Sequence, residues 1–293
     1  MELKISNLTK KFQDTTAVDN VSYTLTTGVY GLLGVNGAGK TTLMRMMCTL
    51  LKPTDGRITW DEKDIFEMDG EYRKLLGYLP QDFGYYPDFT VYDYLMYIAS
   101  IKGLRPATAK QRTHLLLKQV GLENAKNKKM KKLSGGMKRR AGIAQAMLNN
   151  PSILILDEPT AGLDPNERIR FRNLISELAE ERMVLLSTHI VSDIEYIANE
   201  ILLMKEGKIH AAGTSEELLS SMPQQVWSVE VSKEDVDFYM KTYKVANMRT
   251  AHGRVILRIL SSKKPNENAV LENVTLEDVF LHYFGERAGE GDV

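Results

Sequence analysis

The chain has 293 residues, 43% of them hydrophobic, and its 38 basic side chains balance 38 acidic ones. That length suits one large domain, or one large and one small, and the balanced charge gives no global field toward nucleic acid or an anionic membrane. The single cysteine, Cys48, excludes an internal disulfide, and no apolar run reaches the roughly eighteen residues that would span a bilayer.

The chain opens Met-Glu-Leu-Lys, without the apolar segment of a secretory signal, so a soluble, cytoplasmic protein is expected. Short apolar strands then alternate with helical stretches through residue 215. Strands are expected at Leu3–Leu8, Val21–Leu25, Val29–Leu33, Arg57–Trp60, Leu75–Leu79, Ile153–Asp157, Val184–Ser187, Ile201–Met204 and Lys208–Ala212. Val21, Tyr23 and Leu25 alternate with polar residues, as in an antiparallel sheet wet on one side. Ile153 to Leu156 is apolar throughout, as in a parallel strand covered on both faces. Cys48, set among Leu43, Met46, Met47 and Leu50, reads as a small core residue. Residues 90–132 are helix-rich, with a break at Gly103-Leu104-Arg105-Pro106. An inserted helical subdomain over about 82–148 is therefore expected. Beyond residue 215 the texture changes. Trp227, Val229 and Val231 alternate, Lys233 to Tyr243 reads as helix, and Val255, Leu257 and Ile259 alternate again. Thr275 can cap a closing helix, Leu276 to Tyr283, and the polar stretch from Gly285 to Val293 is expected to fray. The fold class expected is α/β: a mostly parallel sheet with helices, an antiparallel β piece, a helical insert, and a small α+β appendage over 216–293.

Residues 34–42, Gly-Val-Asn-Gly-Ala-Gly-Lys-Thr-Thr, satisfy G-x-x-x-x-G-K-[ST] between a strand-like run and a helical one. This is the setting of the phosphate-cradling loop of a nucleoside triphosphatase. Gly34, Gly37 and Gly39 free the backbone to turn, so that the N–H groups of Asn36 to Thr42, Ala38 included, can face phosphate oxygens. The helix start adds positive potential. Lys40 supplies a point charge, and Thr41 a hydroxyl for Mg²⁺. After Ile153 to Leu156 come two adjacent acids. Asp157 is read as a carboxylate ligand for Mg²⁺ and Glu158 as the base that polarises the attacking water. Leu133-Ser134-Gly135-Gly136 opens a second helix whose bare N–H groups suit another phosphate, although one loop already holds a nucleotide's own phosphates. A plain Ser-capped helix would read the same way.

Gly34–Thr42, Leu133–Gly136 and Asp157-Glu158 together resemble the nucleotide-binding subunit of ATP-binding cassette (ABC) transporters, over about residues 1–215. The resemblance implies further roles. Phe12 would stack on adenine, Gln81 would touch Mg²⁺ and link the site to the helical insert, and Asp164 would help join two subunits. His189 would contact the γ-phosphate. It also implies that two subunits pack head to tail, with Ser134, Gly135 and Gly136 of one closing over ATP held by the other. The partners implied are a second nucleotide-binding subunit and a separate membrane permease, which would hold the chain at the inner face of the membrane. Tyr86 and Tyr92, with Phe83 and Tyr85, lie where a permease helix would be received. The stretch Leu276-Glu277-Asp278-Val279-Phe280 is similar to the C-terminal extension of drug- and antibiotic-export subunits, which implies export. Two positions depart from the family pattern: Met137 stands for a common glutamine and Gly162 for another small residue. Neither removes a phosphate-binding group. A cassette ATPase acting on nucleic acid or ribosomes is the alternative, with Lys126 to Arg140 as its basic face. Against it stand the single set of motifs and the lack of long coiled coils. A phosphotransferase sharing only the phosphate loop is a further alternative, but it would not require Leu133–Gly136 and Asp157-Glu158 together.

Overall fold

The computed structural model describes residues 1–251 and 254–285. The chain divides into two compact units, one over Met1–Ile209 and one that begins at His210. The sequence reading sets its boundary slightly later, after residue 215.

The first unit opens on a long hairpin, β1 (Leu3–Phe12) and β2 (Thr15–Leu25). Leu3 pairs with Leu25 and Leu8 with Val21, and all four side chains are buried. Both strands outrun the expected spans because bulges absorb the irregular pattern between the two apolar blocks. Asn7 and Asn20 take positive φ angles of 49° and 50°, and the Asn7 amide donates to Asn20 Oδ1 at 3.0 Å. β3 (Gly28–Leu33) runs into the Gly34 loop, and α1 (Lys40–Met47) follows. α1 buries Leu43, Met44, Met46 and Met47, with Cys48 just beyond it. Burial, and secondarily the charge of Asp157, pushes the Cys48 thiol well above its ordinary value, which fits an inert core residue. β4 (Asp55–Trp60) and β5 (Lys63–Asp64) complete an antiparallel sheet of order β2-β1-β4-β5.

Two short helices, α2 (Ile65–Met68) and α3 (Gly70–Leu75), lead to β6 (Leu76–Leu79). The expected helical insert follows as α4 (Val91–Ile101), α5 (Pro106–Gln119) and α6 (Gly135–Ala146), with two 3₁₀ turns between the last two. α6 lies close on β6: a Cβ on Gly142 would meet the Leu79 side chain at 2.7 Å. Then come β7 (Ile153–Leu156), α7 (Pro165–Leu178), β8 (Met183–Thr188), β9 (Glu200–Lys205) and β10 (Lys208–Gly213). They form a sheet of order β10-β9-β3-β8-β7-β6, in which the pairs β3–β8, β3–β9, β7–β8 and β6–β7 are all parallel. Every residue of β7 is 0% exposed, as its unbroken apolar run requires. This order sends the ends of β3, β6, β7 and β8 out of one edge of the sheet. Ligands bind at such an edge in open α/β folds.

The second unit contains α8 (Ser215–Ser220), β11 (Gln225–Val231), α9 (Val236–Thr242), β12 (Lys244–Ala251), β13 (Arg254–Ser261), β14 (Val270–Glu272) and α10 (Leu276–Phe284). The sheet order is β12-β13-β11-β14. β12 and β14 were not expected. Lys244 to Ala251 is too polar to show a period, and β14 is three residues long. α9 starts later than Lys233 because Ser232 and Asp235 form a hydrogen-bonded turn first. Expected fraying concerns Gly285 to Val293, and residues 286–293 lie outside the described residues.

A buried ion pair fastens α10 to the sheet. Asp278 is 1% exposed and accepts from Arg258 Nε at 3.0 Å and Nη2 at 2.7 Å. Its Oδ2 also accepts the capping bonds from Thr275. Burial alone would raise the Asp278 carboxyl, but the bonds from Arg258 and Thr275 outweigh it and hold the group below its ordinary range. The sign follows from proton linkage: with the folded value depressed, the stabilisation is complete above the unfolded value near ~3.9 and fades as pH falls through the folded one. Asp278→Ala leaves Arg258 only Glu272 and the Asn273 carbonyl, and should cost about 2 kcal/mol of the second unit's stability, read in a denaturant melt at pH 7. The same melt should show this deficit shrinking below about pH 4.

Candidate functional site

The loop after β3 is shaped by contacts that leave no room for side chains. A Cβ on Gly34 would strike the carbonyl of Met204, and one on Gly39, where φ is +102°, would strike that of Ala17. Gly39 is the N-cap of α1 and offers no side-chain cap, and no acid lies in the first turn. The first amides of α1 are therefore available to an anion. Lys40 curls back over the loop and donates to the carbonyls of Gly34 at 2.7 Å and Val35 at 3.2 Å. Asn36, Gly37, Ala38, Gly39, Lys40, Thr41 and Thr42 line a cavity of about 350 Å³ together with Ala17, Gln81 and Glu158.

Opposite the loop, the end of β7 supplies two buried acids, Asp157 at 1% and Glu158 at 5% exposure. Ser187 on β8 aims both. Its hydroxyl donates to Asp157 Oδ1 at 2.7 Å and accepts from the Glu158 amide at 2.9 Å. Glu158 has φ of 45°, a left-handed conformation that costs a non-glycine residue about 1 kcal/mol or more. This turn sends neighbouring acids in different directions. Glu158 Oε2 lies 3.0 Å from His189 Nδ1, and Oε1 lies 3.4 Å from Lys40 Nζ.

Two buried oxygens, Asp157 Oδ2 and Glu158 Oε1, lack hydrogen-bond partners. A carboxylate oxygen so placed is costly unless a cation or proton donor faces it. Among the described residues no group of three or more His, Cys, Asp or Glu could hold a metal alone. A divalent ion here would need further oxygens, such as the Thr41 hydroxyl, the Gln81 amide and phosphate. The oxygen-only donor set suits Mg²⁺.

The Gln81 carbonyl accepts from Arg139 Nη1 of α6 at 2.6 Å, which ties the helical insert to the cavity wall. Other expected site residues do not line the cavity. Phe12 ends β1, is 46% exposed, and has Lys10 Nζ 5.2 Å from its ring centre. Ser134 caps α6 by accepting from the Met137 amide at 3.2 Å, and both it and Gly135 are exposed. Gly136 is buried against the Glu167 carboxyl, where a Cβ would meet Oε2 at 2.5 Å. Asp164 caps α7, accepting from the Glu167 amide at 2.9 Å. Sequence reasoning missed Ala17 and Ser187. Ala17 carries no signal, whereas Ser187 is a hydroxyl that follows the apolar run of a buried strand. Ser187→Ala removes the bonds aiming both acids. It should lower ATP turnover by about tenfold or more while leaving the melting temperature within a few degrees of the parent, measured by phosphate release and calorimetry.

The family model described as ABC transporter matches residues 18–161. An uncharacterized ABC transporter ATP-binding protein, YxlF of Bacillus subtilis (strain 168), is 37% identical over 79% of this chain and 77% of its own. The bacitracin transport ATP-binding protein BcrA of Bacillus licheniformis is 39% identical over 71% of this chain and 68% of its own. A Nod factor export ATP-binding protein I of Burkholderia thailandensis is 36% identical over 94% of each chain. Among solved structures, a dimeric ATP-binding cassette in a post-hydrolysis state with ADP and Pi is 26% identical and superposes with a TM-score of 0.65, covering 72% of this chain and 98% of that one. The chain belongs to the ABC transporter family, as an ATP-binding subunit that hydrolyses ATP.

Proposed function

We propose that this subunit binds ATP with Mg²⁺ in the cavity between the Gly34–Thr42 loop and Glu158, and that its hydrolysis powers export through a separate membrane permease. The observation that carries this reading is the Glu158 carboxylate, buried between Lys40 and His189 and facing the loop across the cavity. The amides of Asn36 to Thr42 and the Lys40 ammonium bind the β- and γ-phosphates. Thr41, Gln81 and Asp157 would hold Mg²⁺, which when bound neutralises phosphate charge. Glu158 accepts a proton as the water oxygen bonds to the γ-phosphorus. The bond to the β–γ bridging oxygen breaks, releasing ADP and phosphate. His189, on Glu158 Oε2, holds that carboxylate and reaches toward the γ-phosphate. Phe12 stacks on the adenine.

The exposed signature at Ser134 and Gly135 supports a shared site, because an anion-binding helix start turned away from its own cavity suits ATP held by another copy. Asp164 lies at the same contact. A head-to-tail homodimer follows, lodged against the permease on the cytoplasmic face of the membrane. The aromatic group Tyr86, Phe89 and Tyr97, with ring centres 5.0–5.7 Å apart and Tyr86 47% exposed, is suited to receive the permease. The name of the Nod factor export relative supports export over import. We assign residues 1–215 to the ATPase domain and 216–293 to an exporter-type extension. Nucleic acid is disfavoured: Lys129 and Lys131 of the basic run pair with Asp88 at 3.3 and 2.7 Å.

Glu158→Gln should lower steady-state phosphate release by about a hundredfold or more while retaining bound ATP in a dimer, followed by size-exclusion chromatography. Prompt hydrolysis in that variant rejects Glu158 as base. Gly135→Asp introduces no steric clash of its own, since open space surrounds the position. It sets a carboxylate against the partner's phosphates, so a filter-binding assay should show ATP affinity near the parent beside abolished turnover. Undiminished turnover excludes the shared site.

A further inference from the structure

Asp193 plays no part in the chemistry above, yet it is the buried junction of the segments that carry it. It ends the 3₁₀ turn Val191–Asp193, four residues after His189, and is 2% exposed. Its Oδ2 accepts from the Thr160 hydroxyl and, at 3.4 Å, from the Thr188 hydroxyl. Thr160 is 1% exposed and sits two residues after Glu158. Thr188 immediately precedes His189, and its hydroxyl also accepts from the Ile190 amide at 3.0 Å.

The other oxygen, Oδ1, faces α7. It makes no hydrogen bond among the described residues and lies 3.9 Å from Arg168 Nη1. Arg168 meanwhile donates through Nε to the Leu163 carbonyl at 3.2 Å, beside Asp164. Arg172, one turn along α7, donates to the Ser192 carbonyl at 2.6 Å. One carboxylate thus joins the loop Pro159–Asp164, the strand end at His189 and the first turns of α7. Removing any of these partners leaves a buried charge short of donors, so the segments are held in one arrangement.

We infer that Asp193, through Thr160 and Thr188, is a positioning residue for hydrolysis: it locks the loop between Glu158 and Asp164 to the strand end bearing His189, so that both approach ATP as one body. The inference rests on the roles proposed for Glu158 and His189. It assigns Asp193 no contact with nucleotide, so its loss acts on turnover rather than on binding.

Thr160→Val removes the hydroxyl at nearly constant shape, whereas Thr160→Ser keeps it. Steady-state ATPase kinetics should show kcat about tenfold or more lower in T160V, with KM for ATP within about threefold of the parent, and T160S close to the parent in both. T160V combined with D193A should be no slower than the slower single variant, because both cut the same connection. If D193A does not fold, the T160V and T160S pair decides alone. Parental kcat in T160V, a loss confined to KM, or equal losses in T160S and T160V would each overturn the inference. A fully active E158Q would remove the base on which it rests, whereas an inactive E158Q beside a fully active T160V would remove the Asp193 lock alone.

Discussion

Everything at the cavity depends on a buried carboxylate held short of full satisfaction. Glu158 spends one oxygen on His189 and leaves the other without a hydrogen bond, 3.4 Å from the Lys40 ammonium. In water such an oxygen would be solvated several times over. Here the protein tolerates the deficit because Lys40 offsets the charge and Ser187 fixes the backbone behind it. The strained φ at Glu158 belongs to the same arrangement. A carboxylate so placed suits the role proposed for it, taking a proton from water, since little rearrangement would precede that reaction.

The parallel sheet explains why so few residues achieve this. Four strands leave one edge together, and each delivers one part. The phosphate loop follows β3, Gln81 follows β6, the two acids follow β7 and His189 follows β8. Sites far apart in sequence become neighbours because strand order interleaves them. Asp157 and Ser187, thirty positions apart, share a 2.7 Å hydrogen bond for this reason.

Much of this was legible in the sequence where chemistry and local geometry coincide. Gly34 to Thr42 announces a strand, a loop and a helix start in one stretch, because backbone amides can crowd a phosphate only where side chains are absent. Ile153 to Leu156 is apolar without interruption and so reads as a covered strand. The register irregularity between Ile5 and Lys11 was not legible, since bulges near Asn7 and Asn20 depend on a bond across the hairpin. Nor was β12, whose polar run gains strand character only from β13 beside it. Ser187 and Asp193 escaped for a related reason. A serine or aspartate is unremarkable in a one-dimensional reading, and its weight comes from partners that the fold supplies.

The grip of Arg139 on the Gln81 carbonyl has a mechanical corollary. The same rigid rod that presents Ser134 at its tip holds Gln81 one turn further along, so swinging α6 cannot reorient the signature without dragging on the wall of the chain's own cavity.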